Sequence, residues 1–198
     1  MHDAPDTATI GSLPAPPQRD GVVGLPRDEV LARYESGVTH LPREVLELDD
    51  ALLDTFFRAD AGVGRWSCRV LLGHLADAEL VCTLRMRRMV GEDHPTLPNW
   101  DVEGFIDRGV YAPMGDDAAN ESLPRPRPGG HVAVIHTMRI WNTEWLRARS
   151  PSDWDRVGLH DRYGSVSLRE MVGHVTWHFE HHAWFLAKKI DRLLARDA

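Results

Sequence analysis

Apolar residues recur at three- and four-residue steps over four long stretches of this 198-residue chain, the period of amphipathic helices. The first stretch runs from about Arg27 to Leu48, with Val30, Leu31, Tyr34, Val38, Leu41, Val45 and Leu48 in step. Pro42 lacks an amide proton and is expected to kink or split it. Asp50 to Ala59 reads as a short helical piece before a turn at Gly62 and Gly64. The second helix starts at Ser67, a capping residue, with Trp66 ahead of it placed to pack on Leu71 as a staple. It runs to about Val90 and stops at Gly91. The third spans about Gly130 to Arg149, with Val134, Met138, Trp141 and Trp145 as its expected core stripe. The fourth opens on Ser167-Leu168-Arg169-Glu170, a capping box flanked by Val166 and Met171, and runs to about Leu194. No stretch alternates convincingly as a strand does.

Four helices with one long connection predict an all-α four-helix bundle with a long crossover. The connection, His94 to Pro128, is punctuated by Pro95, Pro98, Gly104, Gly109, Pro113, Gly115, Pro124 and Pro126. Links of that length usually carry function or remain irregular. Residues 1–26, rich in Pro, Gly and Asp, read as a flexible lead-in, and residues 27–198 as the bundle domain.

Composition narrows the function. With 42% hydrophobic and 27% charged residues the chain is that of an ordinary globular protein. A formal charge of −7 argues against general nucleic-acid binding, which needs a basic face. Arg85, Arg87 and Arg88 cluster locally, but three arginines on a helix are usually a solvated face. Met1 to Pro17 has no apolar run of the secretory kind, and nothing approaches the ~20 apolar residues that span a bilayer. Cys68 and Cys82 stand 14 residues apart on one expected helix, about 20 Å and far beyond disulfide reach. A reducing cytoplasm is therefore the expected compartment. Cys68 falls in the helix's first turn, where a thiol pKa can drop; a reactive role is not expected for it.

Candidate chemistry lies among the eleven histidines. His174, His178, His181 and His182 fall within nine residues, and the pairs His174/His178 and His178/His182 both have the four-residue spacing that lets one helix offer two imidazoles to an ion. Spacing alone does not choose between them. With His178 at zero and about 100° per residue, Leu168, Met171, Val175, Phe179, Leu186 and Leu193 lie at roughly +20° to roughly +100°. His182 falls within that stripe at about +40°, whereas His174 falls at about −40° and His181 at about −60°. On the second helix, His74 borders a stripe of Leu71, Leu75, Ala78, Cys82 and Met89 spread over roughly +40° to roughly +100°. His74, His178 and His182 are thus the expected ligands of one divalent ion, with positions left open as in catalytic zinc sites. A set of hydrogen-bonded core histidines is the alternative. His160, in the loop entering the fourth helix, is a candidate for the pocket rim.

The stretch Trp66-Ser67 through Gly73-His74-Leu75-Ala76-Asp77-Ala78-Glu79 to Arg85, followed by Thr96-Leu97-Pro98-Asn99-Trp100-Asp101, resembles the DinB/YfiT-like family of metal-binding four-helix bundles. His160, Tyr163-Gly164-Ser165-Val166-Ser167-Leu168 and Trp177-His178-Phe179-Glu180-His181-His182 complete the likeness, which covers roughly residues 27 to 195. In that family a histidine of the second helix and the outer pair of the last helix's H-x-x-x-H bind the metal. Carried over, these are His74, His178 and His182. The resemblance implies a metal-dependent thiol S-transferase of the bacillithiol or mycothiol type, or a hydrolase. The ion it implies is zinc, with nickel or iron compatible, and the cosubstrate of the transferase reading is a low-molecular-weight thiol. From another class, a non-catalytic, stress-associated metal-binding bundle fits the same residues. Expected partners are a small-molecule substrate and a second copy of the chain, as a homodimer, with no nucleic acid and no membrane.

Four further residues are candidates for substrate contact. Arg85 lies at roughly +20° on the His74 wheel and suits an anionic group, or else covers core with its stem. Trp100 and Asp101 suit a lid over the site, together with Tyr111; Trp100 equally suits a hydrophobic plug. His160 is the fourth. Asp77 and Glu79 are candidates for orienting a ligand imidazole, but the wheel turns them away from the core, which predicts solvent exposure.

Overall fold

The computed structural model describes residues 15–113 and 124–195. The chain forms α1 (Asp20–Val23), α2 (Arg27–Ser36), α3 (Asp50–Leu53), α4 (Cys68–Gly91), β1 (Thr96–Leu97), α5 (Val102–Asp107), α6 (Pro128–Arg147), α7 (Pro151–Trp154), β2 (Val157–His160), β3 (Gly164–Ser167) and α8 (Leu168–Leu194). The bundle is built from α2, α4, α6 and α8: α4 packs on both α6 and α8, and α2 on α8 and α6. Both sharp caps form. Ser67 Oγ accepts from Val70 N at 3.3 Å, and Ser167 with Glu170 closes a reciprocal capping box at the head of α8.

The first helix is shorter than its hydrophobic period. It ends at Ser36, and 3-10 turns at Gly37–His40 and Arg43–Leu46 follow on either side of Pro42. Gly37 is required there, since a Cβ would collide with Arg139 Nη1. Within the span read as a lead-in, α1 packs against α8, burying Val22. Residues 1–14 and Gly115 of the connection lie outside the described residues.

Three short strands correct the strand-free expectation. β1 runs parallel to β2, pairing Thr96 with Leu159 and Leu97 with His160, and β2 is antiparallel to β3. Two to four residues are too few to display an alternating pattern, yet this sheet ties the start of the connection to the entrance of α8.

Two helical faces also differ from expectation. On α6, Val134 and Trp141 are exposed, and Ile135, Arg139, Asn142, Thr143 and Leu146 are buried instead. Trp141 and Trp145 lie beneath the Arg87 guanidinium, 4.4 and 3.8 Å from their ring centroids. On α4, Glu79 is not solvated but buried, because α4 has a neighbour on two sides. Its carboxylate accepts from Arg139 Nε at 2.7 Å and from the Tyr34 hydroxyl at 2.8 Å. Arg139 also donates to the Tyr34 carbonyl, and Asn142 links Tyr34 Oη to Thr83 Oγ1. This polar layer lies between two apolar clusters, one around Leu71, Leu75 and Leu186, the other around Met86, Trp154 and Met171. Among the described residues no helix is long and apolar enough to cross a membrane.

Candidate metal centre

His74, two turns into α4, meets His178 and His182, one turn apart on α8. Their ring nitrogens converge so that one ligand atom from each lies within 4.8 Å of the others. His74 Nε2 and His178 Nε2 are 3.1 Å apart. Nitrogens bound to one ion at about 2.0–2.2 Å stand about 2.8–3.6 Å apart in tetrahedral geometry or at adjacent octahedral positions. The separation therefore fits shared coordination. Burial supports it: desolvation pushes His74 down to about 4 and His182 to about 3. Burial, then the neighbouring imidazoles, hold His178 well below the ordinary histidine value. All three rings are thus neutral at pH 7, with lone pairs free for a cation.

Aromatic rings wall this site. Trp66 stacks on His182 with centroids 5.8 Å apart at 19°, and meets His74 edge-on at 5.1 Å. Trp100 lies 5.6 Å from the His74 ring. Trp66 was legible only as a helix staple; its contacts to two ligands depend on how α8 approaches α4, which local spacing does not encode. The cause of Trp100's position is visible. Arg85 donates to the Pro98 carbonyl and so straps the connection to α4 two residues before Trp100. Tyr111 fastens its far side by donating to Asp77 at 3.0 Å and lying over Gly73, where a Cβ would be 2.5 Å from the ring. Asp77 is thereby half-buried rather than solvated.

The remaining candidates separate. The exposed Asp101 carboxylate caps α5 by accepting from Gly104 N at 2.9 Å, and faces Arg108 at 3.5 Å. His160 is buried, its Nδ1 accepting from Arg162 N at 3.1 Å. It reaches the centre through a file of rings, His160 to Tyr163 at 4.9 Å, Tyr163 to His174 at 5.2 Å and His174 to His178 at 6.2 Å. His174 is therefore a neighbour of the centre, not one of its converging ligands. Cys68 and Cys82 are buried free thiols, and burial raises them to about 12 and about 11. For Cys68 burial thus acts against the lowering that a helix's first turn can produce.

Three imidazoles from two helices of a bundle, with the crossover laid against them, agree with a family match. The DinB superfamily model matches residues 22–186. The chain belongs to the DinB superfamily. A protein of Bacillus pumilus provisionally named a metal-dependent hydrolase is 31% identical over 147 residues, 74% of each chain. One of Oceanobacillus iheyensis with the same provisional name is 26% identical over 157 residues, 77% of this chain and 81% of its own. The solved structure of YfiT from Bacillus subtilis, described as having an unusual four-helix bundle topology, matches with TM-score 0.67 at 21% identity. It covers 85% of this chain and 90% of that one, a likeness of fold.

Proposed function

We propose that this DinB-superfamily chain is a metal-dependent hydrolase whose single divalent ion is held by His74, His178 and His182. The convergence of three neutral imidazoles carries this reading, and the provisional names of its relatives support it. When bound, an ion in such a set supplies Lewis acidity to a coordinated water or thiol. The chain's own residues orient the ligands, through Trp66 on His182 and His74, and Trp100 packs on the His74 side of the site. Imidazole suits zinc, and equally nickel or iron, with supply deciding among them. Elemental analysis of protein purified without added metal, followed by turnover of ester, amide and lactone substrates before and after chelation, tests the proposal. Metal-independent turnover, or no bound ion, would overturn it.

One observation favours thiol S-transfer as a second reading. The two aspartates considered above are occupied, Asp77 by Tyr111 and Asp101 by the α5 cap. A thiol that would release its proton to bulk water on binding the ion could then attack as a thiolate with no further proton to pass on, whereas an attacking water still carries one to be delivered to the leaving group. Turnover of electrophiles stimulated by bacillithiol or mycothiol, exceeding hydrolysis, would select it. The buried free thiols accord with a reducing cytoplasm. We also propose a homodimer through the outer face of α4 and α6, where Leu84 is 62% and Trp141 52% exposed. Light scattering of Leu84→Glu and Trp141→Glu variants, against the parent chain, checks it.

A further inference from the structure

Beside the metal centre, and sharing the His182 and Trp66 rings with it, lies a cavity of about 190 Å3. Val63, Leu71 and Phe185 give it apolar walls, and Lys189 also lines it. An enclosed apolar cavity of about 150 Å3 takes up benzene, so this partly open one has room for a phenyl ring or a chain of about six carbons. Its charge is one-sided. Arg65 and Lys189 line it, and no aspartate or glutamate does. Lys189 is buried, with Nζ donating to the Gly64 carbonyl at 2.8 Å and lying 4.6 Å from the Phe57 ring centroid. Among the described residues no carboxylate lies within ion-pair distance of it. Burial has pulled its ammonium down to about 8, the consequence of a cation without a counter-ion. A buried cation in an apolar cavity favours a ligand that brings an anion.

We propose that this cavity is the subsite for a carboxylate-bearing apolar part of the substrate, with its ring or chain against Val63, Leu71 and Phe185 and its carboxylate at Lys189 Nζ. The inference rests on the hydrolase reading, since it extends the substrate of that same centre away from the ion past His182. It excludes substrates carrying a cation on this side. It also explains the side-by-side placement of a rigid aromatic wall and a lysine on the turns of α8 that follow the second metal ligand.

The test has a metal-free arm and a metal-bound arm. In the chelated full-length chain, calorimetry with benzoate, benzyl alcohol and benzylamine is expected to rank benzoate at least roughly tenfold above benzylamine, the size of a charge-assisted contact. Lys189→Met should abolish that ranking while benzyl alcohol binds within about threefold of its parent affinity, and Phe185→Trp should weaken all three by filling the space. Equal affinities for the three probes, or no benzoate binding, would overturn the proposal and leave the metal reading standing. In the zinc-loaded chain, the monohydroxamate of adipic acid should bind at least roughly tenfold tighter than acetohydroxamate, each buried methylene contributing about fourfold. Equal binding of the two would separate cavity from centre and likewise overturn the inference. Absence of bound metal in elemental analysis would instead strike the hydrolase reading, whatever the metal-free arm gave.

Discussion

Glu79 on α4 and Arg139 on α6 form a buried ion pair, Arg139 Nε donating to Oε1 at 2.7 Å. The Arg139 guanidinium lies between the Tyr34 and Phe179 rings, 4.5 and 3.8 Å from their centroids. Removing one partner strands the other charge in the core, which costs about 3–5 kcal/mol. Arg139→Met and Glu79→Gln are each expected to lose that much in urea unfolding. The Glu79→Met/Arg139→Met double variant should lose less than the sum, because an apolar pair leaves no charge unpaired.

That pair marks where the sequence stops being legible. Hydropathy assigns α6 its core through Trp141, but the buried face carries Arg139, Asn142 and Thr143, so the pattern points to the wrong side. A buried polar layer is satisfied by partners on α2 and α4, more than fifty residues away, which no local period encodes. Glu79 misleads for the related reason that α4 has two buried faces. The caps at Ser67 and Ser167, by contrast, are local hydrogen-bonding devices and were readable residue by residue. So was the convergence of His74, His178 and His182, because apolar stripes fix which way each helix turns.

Metal content should follow that geometry. His74→Ala, His178→Ala or His182→Ala is expected to bring the bound ion from about one per chain to near zero, and His174→Ala to leave it in place, by elemental analysis. At free metal about 100-fold above Kd, binding adds about 2.7 kcal/mol to stability. At about 2–4 °C per kcal/mol for a chain of this size, chelation should lower Tm by roughly 5–10 °C. No shift on chelation would mean that the ion does not join α4 to α8.

The chelated protein should weaken in acid within a defined window. Burial depresses His74 to about 4 and His182 to about 3, against about 6.5 in the unfolded chain. Between those values the unfolded state binds more protons, so stability rises with pH there. The full contribution is present above about pH 6.5 and is lost as pH falls toward 4 and then 3. Urea midpoints measured from pH 7.5 down to pH 4 are expected to fall, and to fall less in His182→Gln. A midpoint that stays flat would place these rings in water.

The connection after α4 should govern access to the ion, not its affinity. Arg85 on the Pro98 carbonyl and Tyr111 on Asp77 bracket Trp100 and hold its ring 5.6 Å from His74. Trp100 supplies no converging ligand nitrogen, so Trp100→Ala leaves the three imidazoles intact. What it removes is an apolar ring packed against His74, and with it the cover on one of the sides from which a chelator can reach the ion. Trp100→Ala should therefore retain about one ion per chain while losing it to excess chelator at least roughly threefold faster, with a Tm change small beside that of His74→Ala. Arg85→Met should do the same more weakly, since it loosens the strap but keeps the ring. The measurement is the time course of metal transfer to a chromogenic chelator at fixed pH. If Trp100→Ala lost its ion at the parental rate, Trp100 would be a plug that pins the connection and not a cover, and the walls of the site would be the helices and Trp66.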